Sequence, residues 1–410
     1  MSKIVSICQI CSSRDLESIS FFGFLPAVNE MYPFDQKPSE QKMYPAELLY
    51  CKACHLVQLG CVVDAKILFP QEYPYTSSTT KILRENFSDL YKEASTLISL
   101  KADDLIVDIG SNDGNLLSNF KDFHRVLGVT PEDIGKMAIE RGIPTLLEYF
   151  TKDVATRILE KQGQAKIVTA TNVFAHIDEV HSVVENILSI LSEDGVFISE
   201  SHYFPELVRT LQYDTVYHEH LRYYSILSLN KLFHMHGLEI FHVKKIPTHG
   251  GSIRVYAARF GKYKIKNSVQ KVFEEEKALF NDYKKSFENF RNRILQSKLN
   301  LYDLLKKIIS NGEKIYGIGA PSRSSTLVNY LGLDENILSA IMEVPGSHKI
   351  GKYLPGTKIP ILEETKLYEE QPEYAFLLSW HIADELAQKM KHNGYRGKFI
   401  VPLPIPRIIS

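Results

Sequence analysis

The sequence predicts an α/β protein with two parallel-sheet units behind a small cysteine-rich module. Three observations carry this. Between 101 and 245, short apolar strand-like runs alternate with helical ones, the pattern of parallel strands with crossover helices. A second pattern of the same kind begins near 314. All five cysteines lie in the first 65 residues, four of them in two C-x-x-C pairs.

The elements follow in chain order. Residues 1–65 read as extended or loop-like between the cysteine pairs, and PQEYPYTSSTTKILRENF (70–87) as a loop entering an amphipathic helix. The strands of the first α/β unit are DLIVDIG, RVLGVT, AKIVTATNVF and DGVFISES, with SIRVYAARF (252–260) as a further strand. Residues 262–309 are charged and periodic. No glycine or proline lies inside them, so a largely helical connection is expected. KIYGIGAPSRSSTLVNYL then reads as strand, glycine turn and helix, and ILSAIMEV, YAFLLSWH and GKFIVPLP supply more strands. The expected division is 1–68, 69–262 and 263–410.

At 410 residues the chain exceeds one ordinary core. Its net charge of -1 supplies no basic footprint for nucleic acid. No apolar run reaches membrane-spanning length. The opening MSKIVSICQICSSRD lacks a signal-peptide core, so a cytoplasmic protein with reduced thiols is expected. Three parts give enough core for a monomer, and an oligomer stays open.

Cys8, Cys11, Cys51 and Cys54 form two knuckles. Two residues between thiols let a tight turn aim both sulfurs at one ion, and four thiolates suit tetrahedral zinc. A site closed by four protein ligands is structural. The competing reading is four unligated thiols in a small fold. Cys61 is left over as an apolar thiol.

LIVDIGSNDG (105–114) is an apolar strand carrying Asp108, followed by a loop with Gly110, Ser111, Asn112 and Gly114. Asp-x-Gly-x-x-x-Gly resembles the first loop of S-adenosylmethionine-dependent methyltransferases more than a pyrophosphate-binding loop. A generic Rossmann-like turn is the alternative. The second strand usually ends in an acid that bonds ribose hydroxyls. Here it ends in Thr130, which leaves Glu132 as the nearest ribose acceptor. Asn172, Phe174 and His176 close the next strand where such a fold meets its cofactor. His176 is either a cofactor or substrate contact or a hydrogen-bonded structural residue.

QYDTVYHEHLRYYS (212–225) packs four tyrosines, two histidines and one glutamate into a short segment. It is either a proton-transfer site or an aromatic helix face filling a core. If helical, it places Tyr217 and His220 on one face.

Together these motifs resemble the sugar C-methyltransferases with an N-terminal zinc-binding module, a central Rossmann-like methyltransferase domain and a C-terminal Rossmann-like α/β domain. The resemblance rests on the two C-x-x-C pairs, YPYTSS (73–78), VDIGSNDG, NVFAHI, YHEHLRYYS, THGGSIRV, YGIGAPSRSSTLVNY and GKYLPGTKIP. It is closest to the C-3 methyltransferases of nucleotide-linked deoxysugars. It implies a structural zinc, S-adenosylmethionine as cofactor, and a nucleotide-linked keto-sugar as substrate. It implies His220 as the base that removes a proton alpha to the carbonyl, assisted by Tyr217 and Glu219, with His218 the less favoured base. It places Tyr75, Ser77 and Ser78 near the nucleotide-sugar, with Tyr75 and Ser78 on the diphosphate, and His249 in a turn lining the cleft. Arg323 stands where relatives carry a lysine and is read as a phosphate clamp. Glu343 stands where an aspartate is common and is read as an acceptor for nucleotide ribose.

The alternatives are O-methylation of a sugar hydroxyl and a non-catalytic nucleotide-sugar-binding protein on the same fold. A nicotinamide-dependent enzyme lacks the expected glycine spacing.

Overall fold

The computed structural model describes residues 2–36, 40–69, 78 and 80–410. The central sheet has seven strands, in the order Leu238–Ile246, Ser252–Arg259, Leu191–His202, Ala165–Thr171, Leu105–Ile109, Arg125–Val129 and Thr145–Leu146. Leu191–His202 and the strands after it run parallel, and Ser252–Arg259 is antiparallel to both of its neighbours. All five residues of Leu105–Ile109 are buried, as a central strand covered on both faces requires. The edge strand Leu238–Ile246 went unread in the sequence. Its Lys244 and Lys245 interrupt the apolar run that marks the other strands.

The strand Ser252–Arg259 is pinned by charge as well as by its ladder. Arg254 is fully buried and donates to Glu200, Glu93 and Asp89 and to Asn86 of the helix Lys81–Leu97. This network ties that helix across the sheet.

The N-terminal module is a four-stranded sheet ordered Arg222–Tyr223, Val57–Leu59, Met43–Cys51 and Leu16–Pro26. One of its strands therefore comes from the central unit, immediately after the YHEH motif. The C-terminal unit has six strands, ordered Ile361–Glu363, Ala340–Glu343, Ile315–Ile318, Tyr374–Leu377, Lys398–Val401 and Arg407–Ile409, with only the last antiparallel.

The expected helical connection is two helices, Asn267–Phe280 and Tyr283–Ser310. Asp282 breaks it by capping the second helix, its carboxylate accepting from Lys285 N at 3.3 Å. The connection is also more than a spacer. Phe280 and Phe287 pack on Tyr50, and Arg291 donates to Ile19 O, so it braces the N-terminal module.

Among the described residues no helix is long and apolar enough to cross a membrane.

Candidate active site

The four paired cysteines converge. Their sulfurs all lie within 4.8 Å of one another, with Cys8 Sγ 3.4 Å from Cys54 Sγ and Cys11 Sγ 3.5 Å from Cys51 Sγ. Four thiolates about 2.3 Å from a zinc ion sit at the corners of such a cluster. All but Cys11 are buried, and no fourth position is left for substrate. Cys61 is buried away from the cluster, in a small core with Ala27, Val63 and Leu68.

The glycine loop leaves the carboxyl end of Leu105–Ile109. Gly110 has φ +71°, and a Cβ there would lie 2.2 Å from Val173 Cγ2. The glycine is thus demanded by close packing on the neighbouring strand end, rather than by ligand approach alone. Asp108 is buried, accepts from Thr169 Oγ1 at 2.6 Å and is pushed up to about 7 by burial. Thr130 Oγ1 donates to Glu132, which sets that carboxylate at the end of the second strand. Ser111 Oγ, Asn115 Nδ2 and Asn172 Oδ1 are buried without a partner among the described residues. These unmet groups sit on the loops after two adjacent strands, which fits a polar ligand there.

Phe174 departs from expectation. Its ring is fully buried and packs with Phe197, Tyr224 and Phe233, so its side chain serves the core rather than a cofactor. His176, two residues on, faces the site.

The segment 217–220 is a turn rather than a helix. A short 3-10 turn, Tyr213–Thr215, precedes it, and His220 N donates to Tyr217 O at 3.0 Å. The turn still brings Tyr217 and His220 together, with ring centroids 4.1 Å apart. The C-terminal end of the segment is clamped. Leu221 N donates to Ala175 O, Leu59 N to Leu221 O, and the fully buried Arg222 to Ile177 O and Asp178 O.

His220 is 4 % exposed, and its Nδ1 lies 2.8 Å from Thr215 O. A carbonyl only accepts, so Nδ1 carries the proton and Nε2 keeps its lone pair. Around His220 stand His202 at 4.5 Å, His176 at 5.0 Å and Tyr223 at 6.1 Å between ring centroids. Burial drives His220 well below the ordinary histidine range, and His176 down to about 4. Burial drives Tyr217 well above the ordinary phenol range, with Glu219 adding to it, so Tyr217 holds its proton. His218 turns away from this group, its Nε2 on Pro45 O at 3.2 Å.

Glu219 faces the other domains. Asn29 of the N-terminal module donates to it at 2.7 Å, and Ser322 of the C-terminal unit lies 3.4 Å from Asn29 Oδ1. Lys349 of the C-terminal unit donates to Ala320 O at 2.7 Å, and burial lowers its proton affinity against the pull of Glu343 and Glu219. Glu343 ends its strand and accepts from Ala320 N and Val344 N.

His249 lies in the turn before Ser252–Arg259, at φ +55°. The two glycines after it fit tightly. A Cβ on Gly250 would lie 2.2 Å from Gln212 Oε1, and one on Gly251 2.1 Å from Glu206 Cγ. His249 is 5.5 Å from His202 between ring centroids.

Arg323 also departs from expectation. The residue is 6 % exposed and its guanidinium is already engaged, forked on both oxygens of Asp214 and bonded to Gln212 and His381. It locks the C-terminal unit to the turn before YHEH instead of clamping a phosphate. Tyr75 lies outside the described residues. Ser78 is half-buried, and its carbonyl accepts from Arg84 at 2.6 Å. Sequence reasoning missed Asn29, His202, Asp214 and Lys349. Asp214 carried a signal, as a lone acid in an aromatic run.

A strand-end glycine loop, a buried imidazole and a four-thiol cluster together fit a methyltransferase with a structural zinc site. Comparison with known proteins is consistent across the chain. Residues 8–69 match a family described as a zinc binding domain, 80–243 a methyltransferase domain, and 247–404 a C-methyltransferase C-terminal domain. C-methyltransferase NovU of Streptomyces niveus is 31% identical over 409 residues, covering 98% of this chain and 96% of the relative. The chain belongs to this family of S-adenosylmethionine-dependent C-methyltransferases. Among solved structures, magnesium protoporphyrin IX methyltransferase of Synechocystis is 13% identical with a TM-score of 0.33, covering 43% of this chain and 79% of that one. A methyltransferase of Anabaena variabilis is 14% identical with a TM-score of 0.35, covering 44% and 86%. Scores this low support no conclusion about the chain.

Proposed function

We propose that the enzyme methylates a ring carbon next to the keto group of a nucleotide-linked sugar, with His220 as the general base. The observation that carries this reading is the hydrogen bond from His220 Nδ1 to Thr215 O, which leaves Nε2 unprotonated inside the site. A carbon becomes nucleophilic only after its alpha proton is removed, and a neutral imidazole held in one tautomer suits that step. O-methylation of a hydroxyl has less need of a base buried so deeply.

S-adenosylmethionine, when bound, supplies an electrophilic methyl group on sulfur. Asp108, Gly110, Ser111, Asn112, Gly114, Glu132, Asn172 and His176 are the residues proposed to hold it. The unmet polar atoms of Ser111 and Asn172, at two strand ends, support this. Tyr217 keeps its proton and is the proposed donor to the oxygen on which negative charge develops. Glu219 is proposed to orient a sugar hydroxyl. Ser78, His249 and Glu343, with Tyr75, are proposed to border the substrate.

The test is incubation with methyl-labelled S-adenosylmethionine and a panel of nucleotide-linked 4-keto-hexoses, with the label located by NMR. The reading predicts label on a ring carbon, abolished in His220→Ala. Label on oxygen would replace it with the O-methyl reading.

A further inference from the structure

Resting on that reading, each turnover has a proton to dispose of. A C–H and an S–CH3 bond break, a C–CH3 bond forms, and S-adenosylhomocysteine and one proton result. The proton starts on His220 Nε2. His220 is buried, and its other nitrogen is committed to Thr215 O.

Two imidazoles adjoin it. Among the described residues the next ring beyond His176 is the apolar Phe69, at 5.8 Å. Beyond His202 comes a third imidazole, His249, at 5.5 Å. The His181–His236 pair of this chain calibrates these spacings: its nitrogens are bonded at 2.8 Å with ring centroids 5.1 Å apart. The His220–His202 and His202–His249 spacings of 4.5 and 5.5 Å bracket that value. No hydrogen bond holds the His202 ring among the described residues, and His249 Nε2 is buried without a partner among them. His202 and His249 are each more exposed than His220, so the row leads outward from it.

We propose that His202 takes the abstracted proton from His220 and passes it by way of His249 toward solvent at the Gly250–Gly251 turn. The charged and titratable groups facing His202 are His220, His249, Arg323 and His176. Burial first, and Arg323 among the next causes, lowers the proton affinity of His202, His220 and His249 alike, so no member of the row traps the proton. His202 acts through His220 and is a relay residue.

The test uses the zinc-loaded protein and whichever nucleotide-linked 4-keto-hexose of the panel the wild type methylates. His202→Asn and His202→Ala are compared in single-turnover and steady-state assays. The relay predicts near-normal single-turnover methyl transfer and a steady-state rate lowered roughly tenfold or more. It also predicts recovery with added imidazole and a steady-state rate that rises with pH. His249→Asn should lower the steady-state rate by a smaller factor, with partial recovery by added imidazole. Zinc content and thermal melting confirm that the variants fold. Equal losses in both assays without imidazole recovery, or an unchanged steady-state rate, would overturn the relay while leaving His220 in place. A wild type that methylates no member of the panel, or only oxygen, would overturn the underlying reading and the relay with it.

Discussion

Arg323 and Asp214 form a forked ion pair across two domains, with Nε to Oδ2 and Nη2 to Oδ1 both 2.8 Å. Trp380 Nε1 donates to the same carboxylate at 2.7 Å, and the Asp214 side chain is fully buried. Asp214 belongs to the turn that leads into Tyr217 and His220. The C-terminal unit therefore fixes the approach to the proposed base.

Removing one partner strands the other charge in the interior, at a cost of about 3–5 kcal/mol. Asp214→Asn and Arg323→Ala should each lower the thermal midpoint markedly. Arg323→Lys should recover only part, because an ammonium cannot fork. Calorimetry checks this. A midpoint unchanged in Asp214→Asn would show that the pair does not hold the domains.

Zinc removal should reach the site without touching it. The Cys51–Cys54 knuckle ends the strand that pairs with Val57–Leu59, and that strand pairs with Arg222–Tyr223 beside YHEH. Chelation, or Cys51→Ser, should loosen this sheet, lower the melting temperature and depress methyl transfer. Metal analysis alongside activity checks it. Full activity after complete zinc loss would contradict the coupling.

Asn29 links the N-terminal module to Glu219 and reaches Ser322. Asn29→Ala should reduce kcat about 10- to 100-fold by misplacing Glu219, with little change in melting temperature. Glu219→Gln should lower kcat comparably. Steady-state kinetics with calorimetry separate the two effects.

Two desolvated histidines contribute to the acid limit of stability. His176 and His249 lie at about 4, below their unfolded value near 6.5. The folded state then binds fewer protons than the unfolded chain between those values. This contribution is complete above about pH 6.5 and is lost as pH falls toward 4. Asp108 acts in the opposite sense. Held at about 7 against an unfolded value near 3.8, it costs stability as pH rises between the two. Melting temperature against pH should therefore fall less steeply in acid for His249→Asn. It should be higher near neutrality for Asp108→Asn than for the wild type. The reverse order in either variant would contradict the assignments.

Much of the architecture was legible because apolar strands buried on both faces write continuous runs, as in LIVDI and AKIVTAT. The edge strand Leu238–Ile246 was not, since its lysines disguise it. The cysteine cluster was legible from its spacing. Of the candidate site, the juxtaposition of Tyr217 and His220 was legible, but it forms through a turn instead of a helix, because backbone clamps at Leu59, Ala175 and Arg222 decide that conformation from a distance. Arg323 was misread for a similar reason. Its partner Asp214 lies in another domain, and no local pattern announces a pairing across that separation. Asn29, His202 and Lys349 carry no local signal and become visible only when three domains meet.

The most direct test of His220 as base is exchange at the carbon alpha to the carbonyl. The enzyme is mixed with S-adenosylhomocysteine and the accepted 4-keto-hexose nucleotide in heavy water, and the alpha proton is followed by NMR. The account predicts deuterium at that carbon in the wild type and none above background in His220→Ala. Methylation by a wild type that never exchanges this proton, or exchange undiminished in His220→Ala, would contradict it.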